Sequence, residues 1–347
     1  MYWKYCLKRL IHGLWMYAVI IFIFSALFNA TMEKTVRTQI EDKIREDAIR
    51  VQTSMKPGEI ATFLEERRAA KYRQYHLDQP TWKRVVWRAV DTLAFRFGES
   101  TLIKSSAGDT AVWNILLEAL PRTILLFTSA IALDIIIGIW LGLKQAQRVG
   151  GWLDKLMSLA TMTVYGMPTW WLGMLMIMAF SYVFKIFPSG GMHSTPPPSG
   201  LWYYFDTLYH LMLPTLTLVL LGFWGRALLT RNIVLGILQD DYIMAARARG
   251  LPERRVLYGH VMRAASPPLT TMALLSLLSS IGGNLVIEGI FSWPGLGNLY
   301  WIAIEQNDIP VLMGNLAITT AFYMFGLVAL DLMYGYLDPR IKVGGTA

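Results

Sequence analysis

Six apolar stretches set the limits on this chain: residues 11–30, 117–142, 157–184, 211–230, 268–290 and 310–334. Each approaches or exceeds the roughly 20 residues that an α-helix needs to cross a hydrocarbon core ~30 Å thick. A bilayer offers backbone amides no water, so only helices and closed barrels span it. The runs are continuous rather than alternating, which argues against a barrel. At 54% hydrophobic and 16% charged residues, composition agrees. The fold expected is an all-α polytopic membrane protein of six transmembrane helices. Pro121 should open the second span, Pro214 should lie in the first turn of the fourth, and Pro267 and Pro268 should lead into the fifth. A helix start has no partner for the missing N–H in any case.

The formal charge of +8 would suggest nucleic-acid binding in a soluble chain. Here it sets topology instead, and no nucleic-acid partner is expected. Loop 143–156 carries Lys144, Arg148 and Lys155 against Asp154, and loop 231–266 carries Arg231, Arg247, Arg249, Arg254, Arg255 and Arg263 against three acids. Segment 185–210 has only Lys185, and 291–309 has Glu305 and Asp308 but no Lys or Arg. This bias predicts cytoplasmic N- and C-termini. The first run, Ile11 to Ala30, is longer than a signal-peptide core and ends in a poor cleavage site, so it reads as a retained helix.

Three segments follow: a first helix over 1–30, an extracytoplasmic segment over 31–116, and a core of five spans over 117–347. Segment 31–116 holds 15 Lys and Arg, but at that length it lies outside the charge rule. Its "EDKIREDAIRVQ" reads as a helix with exposed charge. In "TWKRVVWRAVDTLAFRFG", Val85, Val86, Ala89, Leu93 and Phe97 form an apolar stripe flanked by Trp82 and Trp87. That suits a helix on the membrane surface or packed on the bundle. A small soluble subdomain is the alternative.

Much chemistry is missing. No G-x-x-x-x-G-K-[ST], H-E-x-x-H or G-x-S-x-G occurs, so no ATP site, zinc protease site or nucleophile elbow is expected. The one cysteine, Cys6, makes no internal disulfide, and the five histidines are scattered, so no metal or cofactor is expected. Asp134 and Asp331 would serve an intramembrane aspartyl protease. Both sit in "Ala-Leu-Asp", which is not that family's pattern. Asp134 otherwise reads as a packing or pore-lining group, or a proton relay. The small residues of "SSIGGN", ending at Asn284, either pack helices or line a polar path. Glu288 either joins that path or orders the loop after it.

The stretch "DDYIMAARARGLPERRVLYGH" (Asp240–His260) is not needed to join two spans. Asp240 or Asp241 should cap a helix over 242–249, Gly250 should follow it with positive φ, and Pro252 should begin a second helix to about Ala264. Ala245 and Ala246 give a shallow face ringed by Arg247 and Arg249. Either another protein's groove closes over that face, or the loop lies on anionic lipid.

Met244-Ala245-Ala246-x-x-x-Gly250 resembles the E-A-A-x-x-x-G loop of binding-protein-dependent ABC transporter permeases, with Met244 at the place of Glu. His260, Met262 and Arg263 stand where that family has I-x-L-P. "DYIMAARARGL" is similar to the D-Y-V-x-x-A-R-A-K-G-L form of the dipeptide/oligopeptide/nickel subfamily. "EGIFSWPGLGNLYWIAIEQNDIPV", "DLMYGYLDPRIK", "LDQPTWKR" with "FGES", and "YGMPTWWLGML" with "FPSGG" resemble its other signatures in the same order. Segment 31–75 is longer and more charged than in that family.

The resemblance implies a type I ABC importer permease in a prokaryotic cytoplasmic membrane. Its partners would be a second homologous permease, two ABC ATPase subunits, an extracytoplasmic substrate-binding protein and the lipid bilayer. The chain itself would hold no ATPase site. Ala245, Ala246 and Gly250 would shape the helix that docks on the ATPase, with Arg247 and Arg249 as charged contacts. The loop bearing Phe291, Trp293, Pro294, Gly295 and Gly297 would face the binding protein or order the gate, unless it is a tight turn with Trp293 as interfacial anchor. Asp134, Asn284 and Glu288 are candidates for the translocation path. Cargo would be di- or oligopeptide, or else a nickel chelate or oligosaccharide. The rival reading is a stand-alone carrier or channel, although no similar halves are visible.

Overall fold

The computed structural model describes residues 2–51, 57–74 and 77–337. In chain order the helices are α1 (Tyr2–Val51), α2 (Pro57–Gln74), α3 (Thr81–Leu93), α4 (Val112–Gln147), α5 (Trp152–Tyr165), α6 (Thr169–Ile177) continued by a π-helical turn (Met178–Val183), and α7 (Leu201–Leu238). Then come α8 (Asp241–Ala248), α9 (Glu253–Arg255), a π-helical turn (Val256–Val261), α10 (Met262–Ser279), α11 (Leu285–Ile290), α12 (Leu296–Glu305) and α13 (Ile309–Leu337). Among the described residues, only an isolated bridge between Glu99 and Ala111 departs from helices, turns and loops.

Five helical stretches are long and apolar enough to cross a membrane: Cys6–Thr31, Val112–Gln147, Leu201–Leu238, Glu253–Leu278 and Ile309–Ala329. The expected straight span over 157–184 is instead a broken pair, α5 and α6 with its π turn, bent by 104°. The break falls at "GMP". Gly166 ends α5 and Pro168 starts α6. Proline lacks the N–H that would continue the first helix, and it disfavours helical backbone at Met167.

The expected proline positions need correction. Pro121, Pro214, Pro267 and Pro268 all lie inside helices. The reason is that helices run past the apolar stretches that announced them. The aromatic and polar "LWYYFDTLYH" before the fourth stretch is already α7. The second helix of the basic loop likewise does not stop near Ala264 but continues through a π turn into α10. That span ends at Ser279 rather than 290, because a short 3₁₀ turn (Ser280–Gly282) and Gly283 at φ +68° break it. Left-handed backbone of this kind is natural for glycine.

The chain divides into two compact units, Met1–Leu116 with Ile302–Ala347, and Leu117–Trp301. In the first, α1 runs unbroken past the expected boundary at residue 30. It lies antiparallel to α13: Arg9 pairs with Asp331 at 3.0 Å, and Gly13 sits where any Cβ would meet Val328 at 2.7 Å. Tyr17, Ile21, Ala89 and Ala317 form the core there, so α3 packs on the helix pair. Val85 and Ala89 are buried, whereas Val86 of the expected stripe is exposed. The charged half of α1 is not wholly solvated. Val36, Ile40 and Ile44 recur every fourth residue and pack with Leu77, Leu64 and Tyr72. Buried Asp308 accepts hydrogen bonds from Ser100 Oγ (2.6 Å) and the amides of Thr101 (2.9 Å) and Leu102 (3.1 Å), which ties that strap to the start of α13.

In the second unit, "GIWLG" (Gly138–Gly142) lets α4 touch α7. A Cβ on Gly142 would lie 2.4 Å from the Ala227 carbonyl oxygen and 2.6 Å from Thr230 Cβ, and one on Gly138 would meet only the Arg226 side chain, at 2.8 Å. Small residues four apart permit such close backbone approach. Gly142→Val should therefore cost about 1–3 kcal/mol or more, as overpacking against backbone does, and Gly138→Ala should also destabilise, because the nearest atom is Arg226 Cβ, fixed by its backbone, on a side chain already held by Asp134 and Ser276. Thermal unfolding of the two variants in detergent is the check; unchanged melting temperatures would contradict the close crossing.

Candidate functional site

Two built regions and one buried ion pair hold the residues singled out from the sequence, all in the Leu117–Trp301 unit. The first region is α8. Asp240 occupies the N-cap without a side-chain bond, Asp241 opens the helix, and Arg249 ends it. Gly250 follows at φ +77°, with its amide donating to the Arg247 carbonyl at 2.9 Å. Ile243 and Ala246 point inward and join Leu143 and Ala146 of α4, Val234 of α7, and Val256, Leu257 and Val261 of the π turn. The shallow face expected from both alanines is therefore divided: Ala246 is buried, and Ala245 is exposed with Tyr242, Met244, Arg247 and Arg249. A spacing of one residue turns side chains about 100° apart on a helix, so adjacent alanines cannot share a narrow face.

Arg247 is not free to reach outward as expected. Its Nη2 lies 2.6 Å from Glu253 Oε1 and its Nε 3.1 Å from Oε2, a bridge across the Gly250 joint. Arg249 Nε bonds back to the Ala245 carbonyl at 3.2 Å. Beside the helix, Lys144, Arg148, Arg247 and Arg254 line a groove with Leu257 and Tyr258. The joint is thus stiff, basic and anchored on the ends of three long helices.

The second region is the segment from Asn284 to Asn298. The Asn284 side chain accepts from the amides of Val286 and Ile287, each at 3.0 Å, and so caps α11. Glu288 is fully buried and accepts from Thr123 Oγ1 (2.9 Å) and the Asn298 amide (3.1 Å). Thr123 in turn accepts from the Leu296 amide at 2.7 Å. Gly295 is required, since a Cβ there would stand 2.4 Å from both Glu288 Oε2 and Thr123 Oγ1. Gly297 is required too, with the Asn284 backbone 2.7 Å from its would-be Cβ.

Trp293 is no interfacial anchor. It is 0% exposed, and its indole N–H donates to the Arg122 carbonyl at 2.9 Å. Phe291 is buried in the cluster of Leu126, Phe127, Leu211, Leu213 and Ile287. Its carbonyl receives the Gly191 amide at 2.8 Å, so "FPSGG" docks on this loop. Of the five expected loop residues only Pro294 keeps partial exposure. The indole and phenyl rings turn inward because burying them frees far more apolar area than a surface turn allows.

The ion pair is Asp134 with Arg226, Nε to Oδ2 at 2.8 Å, Nη2 to Oδ2 at 2.5 Å; Arg226 Nη1 also donates to Ser276 Oγ at 3.1 Å. Asp134 Oδ1 has no hydrogen-bond partner among the described residues. Sequence reasoning singled out Asp134 but missed Arg226, although an arginine inside "LLGFWGRALL" carries the signal. Asp134 and Asp331 each face an arginine, Arg226 and Arg9. That is the arrangement of structural ion pairs rather than of two acids sharing a proton. Two of the five histidines meet at one acid: His193 and His210 each lie 3.5 Å from Asp206. Among the described residues, no group of three metal-ligating side chains forms.

Residues 134–343 match the profile of the family described as binding-protein-dependent transport system inner membrane component. The chain is 32% identical over 269 residues to the oligopeptide transport system permease protein AppB of Bacillus subtilis, covering 78% of this chain and 83% of that one. It is 33% identical over 270 residues to the dipeptide transport system permease protein DppB of the same organism, with 78% and 82% covered. It is also 33% identical over 277 residues to the peptidoglycan transport system permease protein YejB of Agrobacterium fabrum, with 78% and 74% covered. The Asp338–Arg340 part of the C-terminal signature lies outside the described residues.

Removing one partner of a buried ion pair leaves a desolvated charge, at about 3–5 kcal/mol. Asp134→Ala and Arg226→Ala should each lower the melting temperature markedly, and Asp134→Leu with Arg226→Met should recover most of the loss. Additive losses in the double variant would show that the pair does not act as a unit.

Proposed function

The chain belongs to the family of binding-protein-dependent transport system inner membrane components, as a multi-pass permease subunit of an ABC importer, and from that premise we propose that it moves peptides delivered by an extracytoplasmic binding protein, driven by partner ATPases. The observation that carries the reading is α8. It is a short helix held on the ends of α4, α7 and α10, with an exposed outer face and a stiff glycine joint. A helix so anchored passes a push on its outer face to three long helices at once, because packed interiors transmit displacement rather than absorb it.

In this reading α8 lies on the cytoplasmic side and docks in a cleft of an ATPase subunit. Tyr242, Met244 and Ala245 form the contact, and Arg249 lies at its rim. Ala246 holds the helix to the permease, and the Arg247–Glu253 bridge stiffens the turn behind it. ATP binding draws the ATPases together and biases the spans toward the outward-open state. Nucleotide shifts that equilibrium only through its differential affinity for the two states. The complete assembly has a second homologous permease and two ATPases, and both termini of this chain are cytoplasmic. The Asn284–Asn298 segment lies toward the binding protein, as a rigid floor rather than a contact of exposed rings.

Peptide cargo rests on the relatives named for oligopeptide and dipeptide transport. The alternative cargoes are a nickel chelate or an oligosaccharide, and the choice among the three would reside in the binding protein.

Gly250 tests the docking role. Its φ of +77° is closed to proline, and its amide bond to Arg247 would be lost. Gly250→Pro in the intact importer should reduce labelled di- and oligopeptide uptake by at least about tenfold, the factor that 1.4 kcal/mol represents. ATP hydrolysis should persist but lose its stimulation by loaded binding protein. Full peptide uptake by a complex that retains the ATPases would overturn the docking role. Uptake of no peptide by the unaltered complex would overturn the cargo.

A further inference from the structure

The long charged segment between the first two spans contains a cavity of about 500 Å³, set against α1, α3 and the start of α13. Its cations are Lys43, Lys71, Arg84, Arg88 and Arg96, and its acids are only Asp91 and Glu99. Pro310 and Met313 close one side with apolar surface, and Trp87 stands at the wall. We propose that this cavity binds the phosphate headgroup of an anionic phospholipid at the membrane edge.

Three observations converge on that ligand. The first is position. Ser25 donates to the Val85 carbonyl at 2.9 Å, Arg88 to Asn29 at 3.3 Å, and Arg84 to Glu33 at 2.6 Å. Those α1 residues bracket Thr31, where the apolar stretch Cys6–Thr31 ends. On α13 the apolar stretch begins at Ile309. Thr31 and Ile309 lie equally far along the two antiparallel helices from the Arg9–Asp331 pair. The arginines therefore stand at the level where hydrocarbon gives way to headgroups.

The second observation is an unmet need for negative charge. Arg84 is 5% exposed, and its Nε is buried without a hydrogen-bond partner among the described residues. Among the described residues, Arg88 has the Asn29 amide oxygen as its hydrogen-bond acceptor. Burial, with the charge of Arg84 beside it and only partly offset by Glu33, pushes the Arg88 guanidinium down to about 10. Glu33 is the one carboxylate that Arg84 pairs with, and it is shared with Arg37 and only partly offsets Arg88. Neighbouring part-buried cations that share a single acid are costly, and an anion entering the cavity relieves that cost.

The third is the outer face of α3. Trp82, Val86 and Val90 are exposed in a row at four-residue spacing, with Trp87 beside them. Lys83 Nζ sits 5.6 Å from the Trp82 ring centre. An apolar row with tryptophan and lysine at its border is the pattern of a helix half sunk in the lipid surface. A ligand with a phosphate for the arginines and acyl chains for this face meets both requirements.

The test is lipid retention by the full chain in its purified complex, in mild detergent, read by native mass spectrometry. Phosphatidylglycerol should be retained in preference to zwitterionic phosphatidylcholine. Arg88→Gln keeps a donor for Asn29 and removes the charge; it should reduce retention about fivefold, as loss of one surface cation near anionic lipid does. The exposed wall residue gives a second variant, Arg96→Gln, with the same direction and no folding risk. Lys104→Gln, an exposed cation outside the cavity, should change nothing. Equal losses in all three variants would reduce the effect to general surface charge and overturn the proposal. Displacement of the lipid by millimolar inorganic phosphate would make the ligand a free anion and overturn the lipid assignment. No preference for the anionic lipid would overturn it outright.

Discussion

A polar group inside a bilayer must find its partner within the protein. Helices meet that demand for the backbone, and the remaining features of the core show how side chains meet it. Asp134 and Arg226 neutralise each other in the middle of two apolar helices, and Ser276 joins α10 to the same arginine. The small residues Gly138 and Gly142 bring α4 and α7 close enough for that pair to form. Glycine is thus the geometric condition for an electrostatic contact. The electrostatic contact in turn keeps the close crossing from sliding, because displacement would expose a charge to lipid.

The same demand explains the breaks. Where a helix stops inside an apolar region, its free amides need a substitute. Asn284 supplies one for α11, and Glu288 with Thr123 supplies acceptors for the amides of Leu296 and Asn298. The loop that results is rigid because its bonds are buried and its two glycines leave no room for side chains. At α8 rigidity has a different origin: apolar packing of Ile243 and Ala246 on three helices, plus an arginine bridge over the joint. One region is stiff by hydrogen bonding in a dry interior, the other by packing with a solvated outer face. Under the proposed docking, the second leaves Tyr242, Met244 and Ala245 to be covered by a partner while Ile243 and Ala246 keep their packing.

Several local features of 240–298 are legible in the sequence. The first helix, the positive φ at Gly250 and a helical restart after Pro252 appear as read, and of the two roles left open for Glu288 its hydrogen bonds fit the ordering of the loop. Each depends on local chemistry: a cap, a glycine, an acid before a turn. What failed were statements about direction. Ala246 is buried while Ala245 is exposed, Trp293 and Phe291 point inward, and Arg247 pairs with Glu253. Asp308, noted only as an acid in a loop, turned out to organise the strap over residues 100–103. A local pattern says that a side chain can bury or bond. It does not say which neighbour will be there.

The amino-acid sequence by itself determined the class of fold, the positions of the apolar stretches and the family. These follow from the length of apolar runs and from motif spacing, which are properties of the chain taken one stretch at a time. Tertiary structure alone decided that one apolar stretch is a bent helix pair, that α1 extends unbroken into the charged segment, and that Asp134 finds Arg226 across 92 positions of sequence. It also decided that five cations, some far apart in the chain, close around one cavity. Hydropathy reports how a residue partitions between water and oil. Pairing depends on which residues the packing of helices brings within a few ångströms, and no single stretch of sequence contains that information.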